Sequence, residues 1–420
     1  MSAILVVAFC ALMLFAVPVA HCMVLAASVA LLWDGQVPLL LIAQSMFAQT
    51  QSFPLLALPF FIMAGSLMMG GKLGEELLRF AGQAMRRWTG GPLSTTVVAS
   101  VVFGGVSGSA VANASALGAV LIPWQRKQGY PAGLCAANNA TSAVIDILIP
   151  PSIPMILYAV ISNVSIGELF LAGIVPGLLM GTGFVAVCAW RARRLGILPQ
   201  GDALPRGELV RLAWLASPAL LMPVLILAGL RFGLATPTEI SVIAVLYAML
   251  MGAFLYRDLT WARYRQAMLE AGIATGVVLL VIMGSAAVGW VLTFDQVPQR
   301  FAAWASATLQ NPFLVILAMN VIMLLVGMPL DLPPAILLLG PIFVPLAQTI
   351  GLDPLQLGIM MVLNLGIGLY TPPVGTTLFI STTLARSTMA ETTRELWPFF
   401  AVAIALLAAV SYIPALTIRF

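Results

Sequence analysis

One stretch decides the fold of this chain: Gly366-Ile-Gly-Leu-Tyr370-Thr371-Pro372-Pro373-Val-Gly375-Thr376-Thr377. It lies within an apolar run, about 354–385, that is long enough to cross a lipid bilayer. Two consecutive prolines cannot continue an α-helix, because each lacks an N–H group and clashes with the preceding turn. The backbone groups that they free survive at membrane depth only where they are buried in protein or line a cavity. The stretch therefore predicts a helix that breaks inside the membrane.

A second stretch has the same design: Ile149-Pro150-Pro151-Ser152, inside the apolar run at about 131–160. In both stretches the chain restarts as a half-helix, whose N–H groups and positive dipole end favour an anionic group in the gap. The carbonyls freed before the prolines suit a cation such as sodium. Thr371 is predicted to cap the second half-helix, with Pro372 at its first position. A proline kink without a ligand is the structural alternative in both stretches.

The composition is that of a polytopic membrane protein. Of the 420 residues, 61% are hydrophobic and 8% are charged, whereas soluble globular chains are about a quarter charged. A net charge of +4, with cations between apolar runs, argues against nucleic acid as a partner. The hydrophobicity excludes disorder, and no polar segment is long enough to be a soluble catalytic domain. Gly70-Gly71-Lys72 is not a phosphate-binding loop, because Ser66 stands where the motif requires glycine. The chain is therefore not predicted to be an enzyme.

Two further runs, about 92–123 and 312–345, carry Gly or Pro clusters at their centres. They predict helical hairpins that enter and leave the membrane on the same side. The stretch 73–88 is counted as a short amphipathic span, and 259–271 is expected to lie along the membrane surface. With the N-terminus outside, the strongest basic loops fall in the cytoplasm, but Lys72, Arg231 and Arg300 fall outside. Regular spans are predicted at about 3–33, 53–71, 165–193, 208–232, 238–256, 272–293 and 393–417.

The pattern of glycine and proline repeats along the chain. When 105–151 is shifted by 222 residues onto 327–373 without a gap, 8 of 47 residues are identical. Most of these are Gly or Pro, which report backbone geometry rather than composition. The hairpins are predicted to open to opposite sides, so the halves 1–207 and 208–420 predict an inverted-topology repeat, a feature of secondary transporters. A duplicated fold without transport is the alternative.

Polar residues cluster in the hairpin turns and beside the breaks. The first hairpin carries Gly104-Gly105-Val-Ser107-Gly108-Ser109, whose hydroxyls can bind an ion or an anion, or serve helix packing alone. Asp331 lies in the turn of the second hairpin, and Asp146 lies just before the first break. Carboxylates within a membrane are costly and indicate a functional site. Asp295 is interpreted as a loop residue at the end of a span.

These motifs resemble a known family, the large membrane subunit of tripartite ATP-independent periplasmic (TRAP) transporters. The resemblance covers almost the whole chain in the family's order, and the two Pro-Pro motifs are specific. It is carried by Gly105-Val-Ser-Gly-Ser-Ala, Gly118 to Pro123, Gly129-Tyr130, Ile149-Pro-Pro-Ser-Ile-Pro-Met-Ile-Leu-Tyr158, Ser165 to Gly177, Thr236-Pro-Thr-Glu239, Gly351-Leu-Asp-Pro354 and Gly368-Leu-Tyr-Thr-Pro-Pro-Val-Gly375.

The resemblance implies a sodium-coupled importer of organic anions in the bacterial inner membrane, working by an elevator-like movement, without an organic cofactor. It implies two partners: a periplasmic binding protein and a small four-helix membrane subunit, expected as a separate chain because this one starts at its own first span. Expected sodium-binding residues are Ser107, Gly108, Ser109, Ala143 and Asp146 in the first half, and Gly327, Asp331, Asn364, Gly368 and Thr371 in the second. Expected substrate-binding residues are Ser109, Asn113, Ser152, Thr376 and Thr377.

Asp146 departs from the family's pattern, in which this position is small or apolar. An extra carboxylate there is expected to alter ion affinity or to add proton coupling. The substrate stays open among sialic and other sugar acids, C4-dicarboxylates and sulfonates. Two other classes are weighed: a stand-alone divalent-anion symporter that needs no binding protein, and a non-transporting membrane subunit or membrane enzyme.

Overall fold

The structure, a computed structural model, describes residues 1–35, 37–105, 108–197, 199, 206–309 and 311–417. Within these residues the chain is helical and contains no β-strand. Six of the described helices are long and apolar enough to cross a membrane: Ile166–Arg194, Gly207–Arg231, Pro237–Leu255, Trp261–Phe294, Leu332–Thr349 and Met389–Tyr412. A pair bent by 63°, Leu40–Thr50 with Phe53–Met69, adds a seventh if it is one span. The prediction of an all-α polytopic membrane protein is confirmed.

Nineteen α-helices run through the described residues. The first ten are α1 (Ser2–Leu14), α2 (Val19–Asp34), α3 (Leu40–Thr50), α4 (Ala57–Met69), α5 (Lys72–Met85), α6 (Gly91–Gly104), α7 (Ala110–Lys127), α8 (Ala132–Ser142), α9 (Ile153–Ser162) and α10 (Ile166–Arg194). The others are α11 (Arg206–Arg231), α12 (Pro237–Leu250), α13 (Trp261–Phe294), α14 (Val297–Leu309), α15 (Pro312–Gly327), α16 (Leu332–Thr349), α17 (Pro354–Gly368), α18 (Thr376–Ala385) and α19 (Met389–Tyr412).

Three predicted elements are wrong. The run 3–33 is two helices, α1 and α2, which pack against each other on either side of a turn that ends at Pro18. The stretch 73–88 is no span, because the 14 residues of α5 reach only about 21 Å, against a hydrocarbon core of about 30 Å. The surface stretch 259–271 continues into the span 272–293 as one helix of 34 residues, since no proline interrupts it.

Hydrogen bonds fix which helix ends lie together. The backbone N–H of Lys72 donates to Asp258 at 2.6 Å, and the guanidinium of Arg263 pairs with the same carboxyl oxygen at 2.7 Å. The end of α4 therefore lies beside the beginning of α13. Similarly, Arg126 donates to the carbonyl of Ala385 at 3.1 Å, so α7 and α18 end on one side. Lys72 thus shares its side with the basic cluster around Arg263, which removes the first of the three exceptions in the predicted charge distribution.

The order of the helices repeats. Adding 222 to the bounds of α7 gives 332–349, the bounds of α16, and the same shift takes α6, α8, α9 and α10 to α15, α17, α18 and α19 within a few residues. The two halves pack against each other through equivalent helix pairs: α7 packs against α18, and α16 packs against α9. The side chain of Asn139 in α8 makes one such junction: it donates to the carbonyl of Ala114 at 2.9 Å and to the hydroxyl of Ser381 at 2.8 Å. Helices α4, α12 and α13 pack together, and α13 also packs against α16.

Candidate functional site

The first break is the non-helical segment 146–152 between α8 and α9. Helix α8 ends in a 3₁₀ turn at Ala143–Ile145, and α9 begins after the cis peptide bond between Pro150 and Pro151. Ser152 closes the restart, because its hydroxyl donates to the carbonyl of Ile147 at 2.6 Å and its oxygen accepts a backbone N–H of the first turn of α9. An N-cap of this kind satisfies an N–H group that has no partner within the helix. The chain thus interrupts its helix where the prolines predict.

The second break is the segment 369–375 between α17 and α18. Helix α18 begins at Thr376 and is preceded by Gly375, so the prediction that Thr371 caps this half-helix is wrong. Thr371 instead donates its hydroxyl to the carbonyl of Ile367 at 2.7 Å, one turn back in α17. Thr377 donates to the carbonyl of Leu369 at 3.0 Å. Both carbonyls also accept backbone N–H groups, from Tyr370 and Thr377 respectively, so each hydroxyl adds a second hydrogen bond at the end of α17.

The first tip comprises Gly105, Gly108 and Ser109, the described residues between α6 and α7. Ser109 is the N-cap of α7, and Gly108 precedes it with a φ of +62°. A side chain at Gly108 would lie 2.7 Å from the carbonyl oxygen of Pro151, so the tip approaches the first break as closely as a glycine allows. Asp146, fully buried, accepts the backbone N–H of Gly108 at 3.3 Å and that of Ser109 at 3.2 Å. Ser107 lies outside the described residues.

The second tip is the turn 328–331 between α15 and α16. Here the contact with the break is backbone against backbone, since a Cβ at Gly368 would lie 2.6 Å from the carbonyl carbon of Gly327. Asp331 is the N-cap of α16 and accepts the backbone N–H of Leu332 at 2.9 Å. Gly327, Asp331 and Gly368 were predicted to surround one ion. The backbones of Gly327 and Gly368 contact each other, and Asp331 lies at the other end of the short turn that follows Gly327.

A cavity of about 650 Å³ lies where both tips approach α4 and α13. The first turns of three helices line it, at Ala110–Ala112 of α7, Ile153–Pro154 of α9 and Leu332–Pro333 of α16. Because helix N-termini carry positive partial charge and free N–H groups, they form binding sites for anions. Its charged lining residues, within the described chain, are Asp331 and Glu270.

Of the five residues predicted to bind substrate, Ser109 lines this cavity. Asn113 and Thr376 lie elsewhere, and each has a buried polar atom without a hydrogen-bond partner, Nδ2 and Oγ1 respectively. The hydroxyls of Ser152 and Thr377 are already bonded to backbone carbonyls. The structure therefore leaves Ser109, Asn113 and Thr376 with more capacity for a ligand than the other two.

Two polar residues that pack near the second break, Asn320 and Tyr370, were missed by the sequence reasoning, whereas Asn364 was predicted. Asn364 donates to the backbone and side-chain oxygens of Asn320 at 2.9 and 2.7 Å, while its own Oδ1 is buried without a partner. The hydroxyl of Tyr370 is also buried without a partner. An asparagine in the middle of the apolar run 312–327 was a signal for the first, because polar groups in membrane helices mark packing or binding sites.

Outside the membrane-spanning segments, two carboxyl groups hold the helix ends together. Burial raises the pKa of Asp258, but the hydrogen bonds from Arg263 and the Lys72 backbone outweigh it and leave this pKa below its usual value. Asp295, at the far end of α13, accepts the backbone N–H of Ser2 at 2.7 Å, and this bond lowers its pKa to about 2. Both groups are therefore ionised at neutral pH.

Paired tips and broken helices around a cavity are the architecture of a membrane transporter. The family model for the tripartite ATP-independent periplasmic transporter, DctM component, matches residues 6–416. The chain belongs to this family and is a large membrane subunit of a TRAP transporter, a permease rather than an enzyme.

Relatives agree with this assignment, and a solved structure shares the fold. The chain is 64% identical to uncharacterized protein y4mL of Sinorhizobium fredii over 418 residues, 100% of both chains. It is 35% identical to the C4-dicarboxylate TRAP transporter large permease protein DctM of Pseudomonas aeruginosa over 382 residues, which cover 90% of this chain and 88% of that one. The crystal structure of the Alcanivorax borkumensis YdaH transporter superposes with a TM-score of 0.64 at 15% identity, over 89% of this chain and 87% of that chain. At this identity the likeness concerns the fold alone.

Proposed function

We propose that this subunit imports a small organic anion together with sodium, after a periplasmic binding protein delivers the anion. The observation that carries the proposal is the cavity at the two tips, which combines helix N-termini for an anion with oxygen groups for a cation. A carboxylate such as a sialic or other sugar acid or a C4-dicarboxylate fits this chemistry, as does a sulfonate.

The second tip supports sodium as the coupling ion. Asn364 Oδ1 is a buried acceptor without a donor, and the carboxylate of Asp331 lies in the adjoining turn. The close approach of Gly327 to Gly368 adds backbone carbonyls at the same junction. Oxygen atoms of these three kinds are the ligands that hard cations prefer. A bound sodium ion would supply the positive charge that the cavity lining lacks.

The charged ends give the proposed orientation. The end that carries Lys72 and Arg263 is cytoplasmic by the excess of cations there. The cavity reaches Gly70 of α4 and Glu270 of α13, both near this end. The structure is therefore proposed to be inward-facing, in the bacterial inner membrane.

Transport then requires the tips and breaks to move against α4 and α13, which line the other wall of the cavity. An elevator-like displacement of the group formed by α6–α9 and α15–α18 meets this requirement, because these helices pack across the two halves as one unit. The small four-helix membrane subunit is proposed as the partner of the stationary helices.

Uptake into proteoliposomes that contain both membrane subunits tests the proposal. With loaded binding proteins outside, an inward sodium gradient is expected to drive uptake, and replacing sodium by choline is expected to abolish it. Failure across a broad panel of sugar acids, dicarboxylates and sulfonates would contradict the proposal. Uptake of free substrate without any binding protein would instead favour a stand-alone symporter.

A further inference from the structure

The two tip–break contacts are equivalent in the repeat but carry their carboxylates on opposite partners. The shift of 222 residues pairs Asp146 with Gly368, and Ser109 with Asp331. In the first half the carboxylate projects from the break toward the tip. In the second half it belongs to the tip, and the break presents a glycine.

The atoms that meet at these contacts differ in the same way. At the first tip, the N–H groups of Gly108 and Ser109 both donate to Asp146. At the second contact, Asn364 of α17 keeps a buried oxygen without a donor, next to Leu365, whose Cα would lie 3.2 Å from a Cβ at Gly327. Its counterpart in the first half is Ser142, whose hydroxyl donates to the side chain of Asn138 at 3.4 Å. The first contact is thus closed by an anion on N–H groups, and the second has an acceptor left for a cation.

We propose that Asp146 fastens the first tip in place of a coupling cation, so that this chain binds sodium at the second tip only. The inference rests on the sodium coupling proposed above and concerns where the ion binds. Asp146 is a positioning residue here, because it contacts the tip and does not line the cavity.

Electrostatics favours this arrangement. The N–H groups of the first tip open helix α7, whose N-terminus carries a positive partial charge of about half an elementary charge. Such a concave group of N–H donors binds anions and repels cations. Hydrogen bonds to a carboxylate are about twice as strong as those between neutral groups. A side chain that is covalently attached holds the tip whether or not sodium is present.

A matched pair of cysteine variants tests the inference. Positions 111 and 333 are equivalent in the two halves, because they differ by the repeat shift of 222 residues. Val111 and Pro333 both line the cavity and are partly buried. Val111→Cys and Pro333→Cys are made in a chain with Cys10→Ser, since Cys10 is exposed and the other three cysteines are buried. The purified full chain is labelled with a maleimide in sodium and in choline buffers. At a sodium concentration ten times the Kd for sodium, about one tenth of the second sites are empty. The rate of labelling at position 333 should therefore fall about tenfold, while the rate at position 111 should not change.

Asp146→Ser supplies the second arm. It should raise the labelling rate at position 111 in choline, because the tip loses its acceptor, and leave the rate at position 333 unchanged. If the serine variant does not fold, Asp146→Asn is used instead, because asparagine has the shape of aspartate. The inference is overturned where sodium protects both positions, or where neither Asp146 variant alters the rate at position 111. Protection at neither position would contradict the sodium coupling itself.

Discussion

Replacing Gly368 by alanine should push the second tip away from the second break. A Cβ there would lie 2.6 Å from the carbonyl carbon of Gly327, whereas ordinary contact begins at 3.4 Å, so the backbone must move by about 0.8 Å. The contact is with backbone, which cannot rotate away as a side chain can. Overpacking of this kind costs about 1–3 kcal/mol, against about 1 kcal/mol that alanine gains over glycine within a helix. The expected net loss of stability is up to about 2 kcal/mol.

Gly272→Ala is the matched control, because this glycine also lies within a helix but has no atom within 4 Å of a built Cβ. Thermal unfolding of both purified variants in detergent, with and without sodium, gives the answer. Gly368→Ala should unfold at a lower temperature and lose the stabilisation by sodium, while Gly272→Ala should keep both properties. If Gly368→Ala matches the control in both, the backbone contact neither limits stability nor shapes an ion site.

Three further predictions follow from the described contacts. Asn364→Ala should remove the stabilisation by sodium in the same unfolding assay, whereas the Gly272→Ala control should retain it; equal responses would refute the role of the unpartnered oxygen. Ser109→Ala and Thr376→Val should each reduce uptake without loss of the assembled subunit, measured by uptake beside membrane abundance, and normal uptake in both would contradict the site placement. Asp295→Asn should lower the melting temperature by a constant amount between about pH 5 and 8, because the Asp295 pKa of about 2 lies below its ordinary value of about 3.9. The difference in melting temperature between the two proteins should shrink only as the pH falls from about 4 toward 2. A change in this difference near pH 6 would refute the prediction.

The breaks and the class of fold could be predicted because proline acts locally. Pro150-Pro151 and Pro372-Pro373 stop a helix in any surroundings, so their positions in apolar runs were sufficient. The course of the other runs depends on tertiary packing. Hydropathy shows that 3–33 avoids water, but it does not show that the run folds back at Pro18 onto itself. The same limit explains why α5 was counted as a span.

The residues of the site were easier to predict than their bonds. Asp146 and Asp331 stood out because carboxylates are rare in apolar runs. The two bonds that Asp146 accepts from Gly108 and Ser109, however, come from backbone N–H groups. Every residue except proline carries such a group, so no residue type predicts these two bonds. The bond between Asn364 and Asn320 joins residues 44 positions apart and likewise needed the folded chain.

Two of the helix N-termini at the site are already paired with carboxylates of the protein, which limits where a substrate anion can bind. The starts of α7 and α16 already face carboxylates of the protein, Asp146 and Asp331. The restarts after the two breaks, α9 and α18, are preceded by the neutral residues Ser152 and Gly375. Of these two, α9 lines the cavity through Ile153 and Pro154, and its N-terminus carries a positive partial charge of about half an elementary charge. An anion held there needs no lysine or arginine, which agrees with a cavity whose charged lining, in the described chain, is acidic.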